Sequence, residues 1–132
     1  MNERQQVVRD VLRKTVHQQF EYGVLDCVLF AGKFVSALSG IEYVDIHYKD
    51  VTEAYKIIDR FGGIESIVTS RLGEPANIDA LDDGDPVLLN LPKIGEIMGV
   101  LVSGRVLVKT QGDVLTIPLH RIKKGWHICL RQ

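Results

Sequence analysis

Ile97-Met98-Gly99-Val100-Leu101-Val102-Ser103-Gly104-Arg105-Val106-Leu107-Val108-Lys109-Thr110 is the stretch whose reading decides the fold. Two runs rich in Val, Ile and Leu are joined by Ser103-Gly104. A link this short suits antiparallel neighbours, because parallel pairing needs a crossover of about a dozen residues or more. Working outward, Val87 to Leu91 precedes the pair, Val114 to Pro118 follows it across Gln111-Gly112, and Trp126 to Leu130 has similar composition. The expectation is an antiparallel meander of about five strands from Pro86 onward. The basic run Arg121-Ile122-Lys123-Lys124 reads as a short solvated turn within it.

Upstream of Pro86 the apolar period is helical. Val7, Val8, Val11, Leu12 and Val16 predict a helix from about Asn2 to Gln18, with Asn2 and Gln5 spaced as a capping box. Phe20 to Leu25 reads as a turn containing Tyr22-Gly23. A second helix starts near Cys27, is capped by Asp26 and stops at Ser39-Gly40. Because it is apolar on more than one face, it is expected to be the central, buried helix. After an irregular stretch from Ile41 to Asp50, Thr52 to Phe61 forms a third helix ending at Gly62-Gly63, and Ile64 to Leu72 a fourth closed by Gly73. Glu74 to Asp85 is a linker with strong turn chemistry. Helices first and strands afterwards make the fold class α+β. The chain reads as a single domain over 1–132, helical over 1–73 and sheet over 86–131.

The 132 residues are enough to bury a core without staples. Sixteen Lys and Arg against seventeen Asp and Glu leave a formal charge of −1, which gives no general electrostatic drive toward nucleic acid or an anionic membrane. No apolar run is long enough to span a bilayer, and the polar N-terminus is unlike a secretory signal. Cys27 and Cys129 do not make a disulfide framework, so a reducing cytoplasm and two free thiols are expected. The acidic residues Asp79, Asp82, Asp83 and Asp85 lack the spacing of a calcium loop and read as a solvated turn. No phosphate loop or metal-ligand motif is present, and no cofactor is expected.

Tyr22-Gly23-Val24-Leu25-Asp26-Cys27-Val28-Leu29-Phe30-Ala31 is the window with the most chemistry. A cysteine in the first turn of a helix sits by unpaired N–H groups and the positive end of the helix dipole, which favours the thiolate nucleophile. The plain alternative for Cys27 is a small hydrophobe on a core helix. The window resembles the Asp-Cys motif opening the nucleophile helix of NlpC-type, papain-like cysteine peptidases, and more closely a phage-tail branch typified by Gly-x-x-Asp-Cys. In matching order follow Gly40 after that helix, Phe61-Gly62-Gly63 ending a later one, and Gly84-Asp85 leading the first strand. Gly99 to Gly104 resembles the branch's Gly-Ile-Tyr-x-Gly strand, and Trp126-His127-Ile128 its Trp-Arg-Ile close.

The resemblance implies a papain-like fold and makes Cys27 a candidate or vestigial nucleophile. It also places the histidine base two residues before the strand glycine, where this chain has Ile97, and the third polar residue near Lys109. Neither is histidine. A thiolate hydrolase needs a proton acceptor in hydrogen-bond reach of the sulfur. His120 and His127 are the alternative bases; His127 stands where the related pattern has arginine, which suits a structural donor. His17 and His47 read as solvated, and Lys109 as an exposed strand lysine. The leading expectation is a structural component of a phage tail or tail tip, a degenerate peptidase fold located in the virion, made in the host cytoplasm and partnered by other tail or baseplate proteins. The alternative is an active cysteine hydrolase that contacts peptidoglycan stem peptides or processes a tail protein. A cellular binding domain is a third reading.

Overall fold

The computed structural model describes residues 1–43 and 47–131. Four helices come first: α1 (Glu3–Thr15), α2 (Cys27–Ser39), α3 (Val51–Phe61) and α4 (Ile64–Leu72). Five strands follow: β1 (Pro86–Leu91), β2 (Gly95–Val102), β3 (Arg105–Lys109), β4 (Val114–Ile117) and β5 (Ile122–Gly125). Short 3-10 turns at Ile78–Ala80 and Leu119–Arg121 punctuate the linkers into β1 and β5. The fold is α+β, with the helices packed on one antiparallel sheet. The irregular stretch expected over 41–50 includes residues 44–46, which lie outside the described residues.

The helix boundaries follow from their caps. Asn2 and Gln5 form the reciprocal capping box of α1, and Asp26 and Asp50 accept from the Leu29 and Glu53 amides at the starts of α2 and α3. Each such cap is worth about 0.5–2 kcal/mol. Gly40 and Gly62 end α2 and α3 in the left-handed conformation. Helix α2 is the hub: Phe30, Ala31, Phe34, Val35 and Leu38 are fully buried between α1 and strands β1, β2 and β3.

The sheet order is β4-β3-β2-β1-β5 with every neighbouring pair antiparallel. Strands β1 to β4 form the expected meander, but the fifth strand is displaced from where its composition suggested. It is Ile122–Gly125, within the basic run read as a turn, and it crosses back to pair with β1. Ile122 and Gly125 are buried while Lys123 and Lys124 point outward, so a four-residue strand with two central lysines hides its apolar ends from composition. Lys123 Nζ reaches Glu96 on β2 at 2.8 Å. Trp126 to Leu130 leaves the ladder. Trp126 still donates its amide to Pro86 and buries its ring with Leu88 and Met98.

Gly99 shows how tightly the sheet is filled. It pairs with Val87, and a Cβ there would stand 2.7 Å from Val106 Cγ1 and 2.9 Å from the Leu107 carbonyl oxygen. The missing side chain lets Val87, Val106 and Val108 join one cluster across β2. Gly99→Ala is therefore expected to lower stability by about 1–3 kcal/mol through overpacking, read as a lower urea midpoint with an unchanged m-value.

Candidate functional site

Asp26 organises the turn before α2. It is buried, its Oδ1 accepts from the Leu29 amide at 2.9 Å, and its Oδ2 accepts from the Gly23 amide at 3.1 Å and from the Tyr48 hydroxyl. Gly23 sits at φ +81°, and a Cβ on it would lie 1.8 Å from the Tyr48 carbonyl oxygen. The Gly-x-x-Asp pattern thus has a local cause. Glycine lets the segment around Tyr48 lie against the turn, and the aspartate ties that segment down while capping the helix. Burial and the Asp26 carboxylate both hold the Tyr48 hydroxyl protonated, well above its ordinary range.

Cys27, the first residue of α2, lines a cleft of about 520 Å³, within the range of small-molecule sites. The cleft lies between the turn before α2, helices α3 and α4, and the ends of β2 and β3 with the β3–β4 hairpin. Its walls are mainly apolar. Helix α3 buries none of its residues, although Val51, Ala54, Tyr55 and Ile58 recur at helical spacing; that stripe lines the cleft.

The sulfur is crowded although the residue keeps some surface on the cleft. Burial pushes the Cys27 thiol up to about 11; the Met98 amide opposes this, Asp26 adds to it, and the Val28 and Cys27 amides oppose it. No cation is among the groups acting on the sulfur. The helix-start position does supply amides, as its spacing suggested, but desolvation outweighs them. At pH 7 a thiol of that pKa is ionised to about one part in ten thousand, against a few per cent for an ordinary cysteine.

Ile97 and Lys109 line the same cleft as Cys27, while His120 and His127 do not. His120 is exposed on the 3-10 turn before β5. His127 Nδ1 lies 2.9 Å from Asp85 Oδ2, with the side chain 39% exposed. His17 and His47 are exposed, and among the described residues no histidine lines the cleft. Both Cys27 and Cys129 are free thiols. Lys109 corrects its sequence reading: it is 3% exposed, set at the end of β3.

Asp85 also departs from the solvated turn expected of the acidic residues. It is fully buried, and its Oδ1 accepts from Arg4 Nη2 at 2.6 Å and from the Ile128 amide at 2.9 Å. Its Oδ2 accepts from the Asp82 amide at 2.8 Å and meets His127. Arg4, also buried, donates to the Asp83 and Ile128 carbonyls at 2.5 Å each. Sequence reading missed this hub because its members are 81 and 43 residues apart from Asp85. The one signal available was an arginine among the first residues of an otherwise exposed helix turn.

Among the described residues no group of three or more His, Cys, Asp or Glu is arranged to hold a metal ion, and no helix is long and apolar enough to cross a membrane. A family model described as a domain of unknown function, DUF6950, matches residues 1–128, and the chain belongs to that family. No curated protein matches the sequence significantly.

Proposed function

We propose that this DUF6950 domain is a structural component of a phage tail or tail tip, on a papain-like scaffold that keeps the position of a nucleophile without its base. The observation carrying this reading is the Cys27 environment: a thiol pushed up to about 11, in a cleft that no described histidine lines. The resemblance to the NlpC-type tail branch supports it, since the Gly23, Asp26, Gly84 and Gly99 positions of that pattern each have a packing or hydrogen-bonding reason here. A scaffold that keeps those positions while no described histidine lines the cleft at its sulfur is retained for the surfaces it presents. Its partners are other tail or baseplate proteins, and its location is the virion.

The hydrolase alternative requires a proton acceptor at the sulfur. His127 is engaged by Asp85 and His120 is exposed on a separate turn, so neither supplies one in this arrangement. The three amides around the sulfur are what an anion there would need, and they are the feature that favours this second reading.

Alkylation kinetics separate the two. The Cys27 reaction with iodoacetamide is expected to rise about tenfold per pH unit from pH 8 to 10 without levelling, as for a thiol titrating near 11. A plateau below pH 8 would mean an activated thiolate and would remove the inert reading. In the virion, Cys27→Ala is expected to leave assembly and plaque formation unchanged, with the chain present in purified tails. Its absence from tails would remove the structural reading and leave a cellular binding domain as the better account.

A further inference from the structure

We infer that the cleft is a binding site for a small amphiphilic carboxylate, an aliphatic chain with one anionic head that Lys109 receives. Two independent observations point there. Lys109 lines the cleft at 3% exposure, and none of the hydrogen bonds or ion pairs among the described residues involves its ammonium, which keeps only a little open surface. A lysine with so little surface is normally paired, because taking most of an ammonium's hydration away is costly unless an anion or acceptors compensate. The acidic residues in the described lining are already used: Asp26 by the Gly23 and Leu29 amides and Tyr48, Glu96 by Lys123.

The second observation is α3. An amphipathic helix normally buries its apolar stripe, yet none of its residues is buried, and the stripe of Val51, Ala54, Tyr55 and Ile58 borders open volume. Ile67, Ile97 and Leu115 line the same cleft. Burying apolar surface on both sides of an inserted chain is worth roughly 25 cal/mol per Å².

A single anionic head on a bare hydrocarbon chain suits this lining better than a peptide does. A peptide would bring an amide N–H and C=O per residue into an apolar cleft, and each unsatisfied group costs about 1–3 kcal/mol. The assignment goes beyond the structural reading of the protein and holds whether or not Cys27 reacts.

Calorimetry with the full chain and decanoate below its micellar concentration tests it. Saturable one-site binding is expected, weakened at least tenfold in Lys109→Met and kept within about threefold in Lys109→Arg, with decylamine not binding. Equal binding of decylamine, or no loss in a folded Lys109→Met, overturns the charge assignment. Should Lys109→Met fail to fold, the wild type still decides: decanoate, and not decylamine, is expected to slow Cys27 alkylation at pH 9, because both occupy the same cleft. No protection by decanoate overturns the proposal. Tighter binding of a short peptide with a free leucine carboxylate replaces the aliphatic acid with a chain terminus and also overturns it. None of these results depends on the protein's place in a virion, so failure here and failure of the tail reading remain distinct.

Discussion

Asp85→Ala is expected to destabilise the protein by about 3–5 kcal/mol, the largest loss of any single polar substitution, because it leaves the buried Arg4 guanidinium with only the exposed Asp82 carboxylate, 3.7 Å from Nε. Arg4 is itself enclosed, so water cannot replace the lost partner, and the Ile128 and Asp82 amides lose their acceptor at the same time. Urea denaturation followed by the fluorescence of Trp126, the single tryptophan, reads this directly. The double variant Arg4→Met/Asp85→Leu is expected to be more stable than Asp85→Ala, since it removes both charges together. His127→Ala is expected to cost less than either, its ring being well exposed. A loss under about 1 kcal/mol for Asp85→Ala would show that the carboxylate is not the keystone of this corner.

Gly23→Ala is the second large effect. The left-handed φ alone costs an L-residue about 1–3 kcal/mol, and the added methyl would overlap the Tyr48 carbonyl at 1.8 Å, a clash with backbone that no rotamer relieves. The Tyr48 segment must therefore move away from the turn, losing its bond to Asp26 and opening the cleft beside Cys27. Two readouts are expected to change together: a lower thermal midpoint, and faster Cys27 alkylation than in wild type at the same pH. Tyr48→Phe, which loses the hydroxyl but not the packing, is expected to show a smaller rise. Unchanged alkylation in a clearly destabilised Gly23→Ala would mean that this segment does not shield the sulfur.

The helical half was legible because its signals are local. Asn2 with Gln5, Asp26, Gly40 and Gly62 are caps that act within four residues: α1 and α2 begin beside the first of these, and α2 and α3 end at the two glycines. Strands β1 to β4 were legible from branched residues and Gly turns. Strand β5 was not, because its pairing with β1 depends on a contact made more than thirty positions away, which two lysines in its centre disguise. The same non-locality hid the Asp85 hub and the burial of Lys109. Cys27 was placed correctly at a helix start, yet the chemistry expected of that start was too simple: amides and dipole can be read from neighbours in the chain, whereas burial against the distant sheet residues of its cluster cannot.

The Arg4–Asp85–Ile128 corner has a consequence for how the protein comes into being. A ribosome adding about 5–20 residues per second makes the Asp85 carboxylate several seconds after Arg4, and the Ile128 amide, 43 residues further, a few seconds later still. Until Ile128 emerges, Arg4 lacks one of its acceptors and the Asp85 carboxylate one of its donors. Completion of this corner therefore waits until Ile128 has emerged, and loss of that residue takes away one acceptor of Arg4 and one donor to Asp85 together.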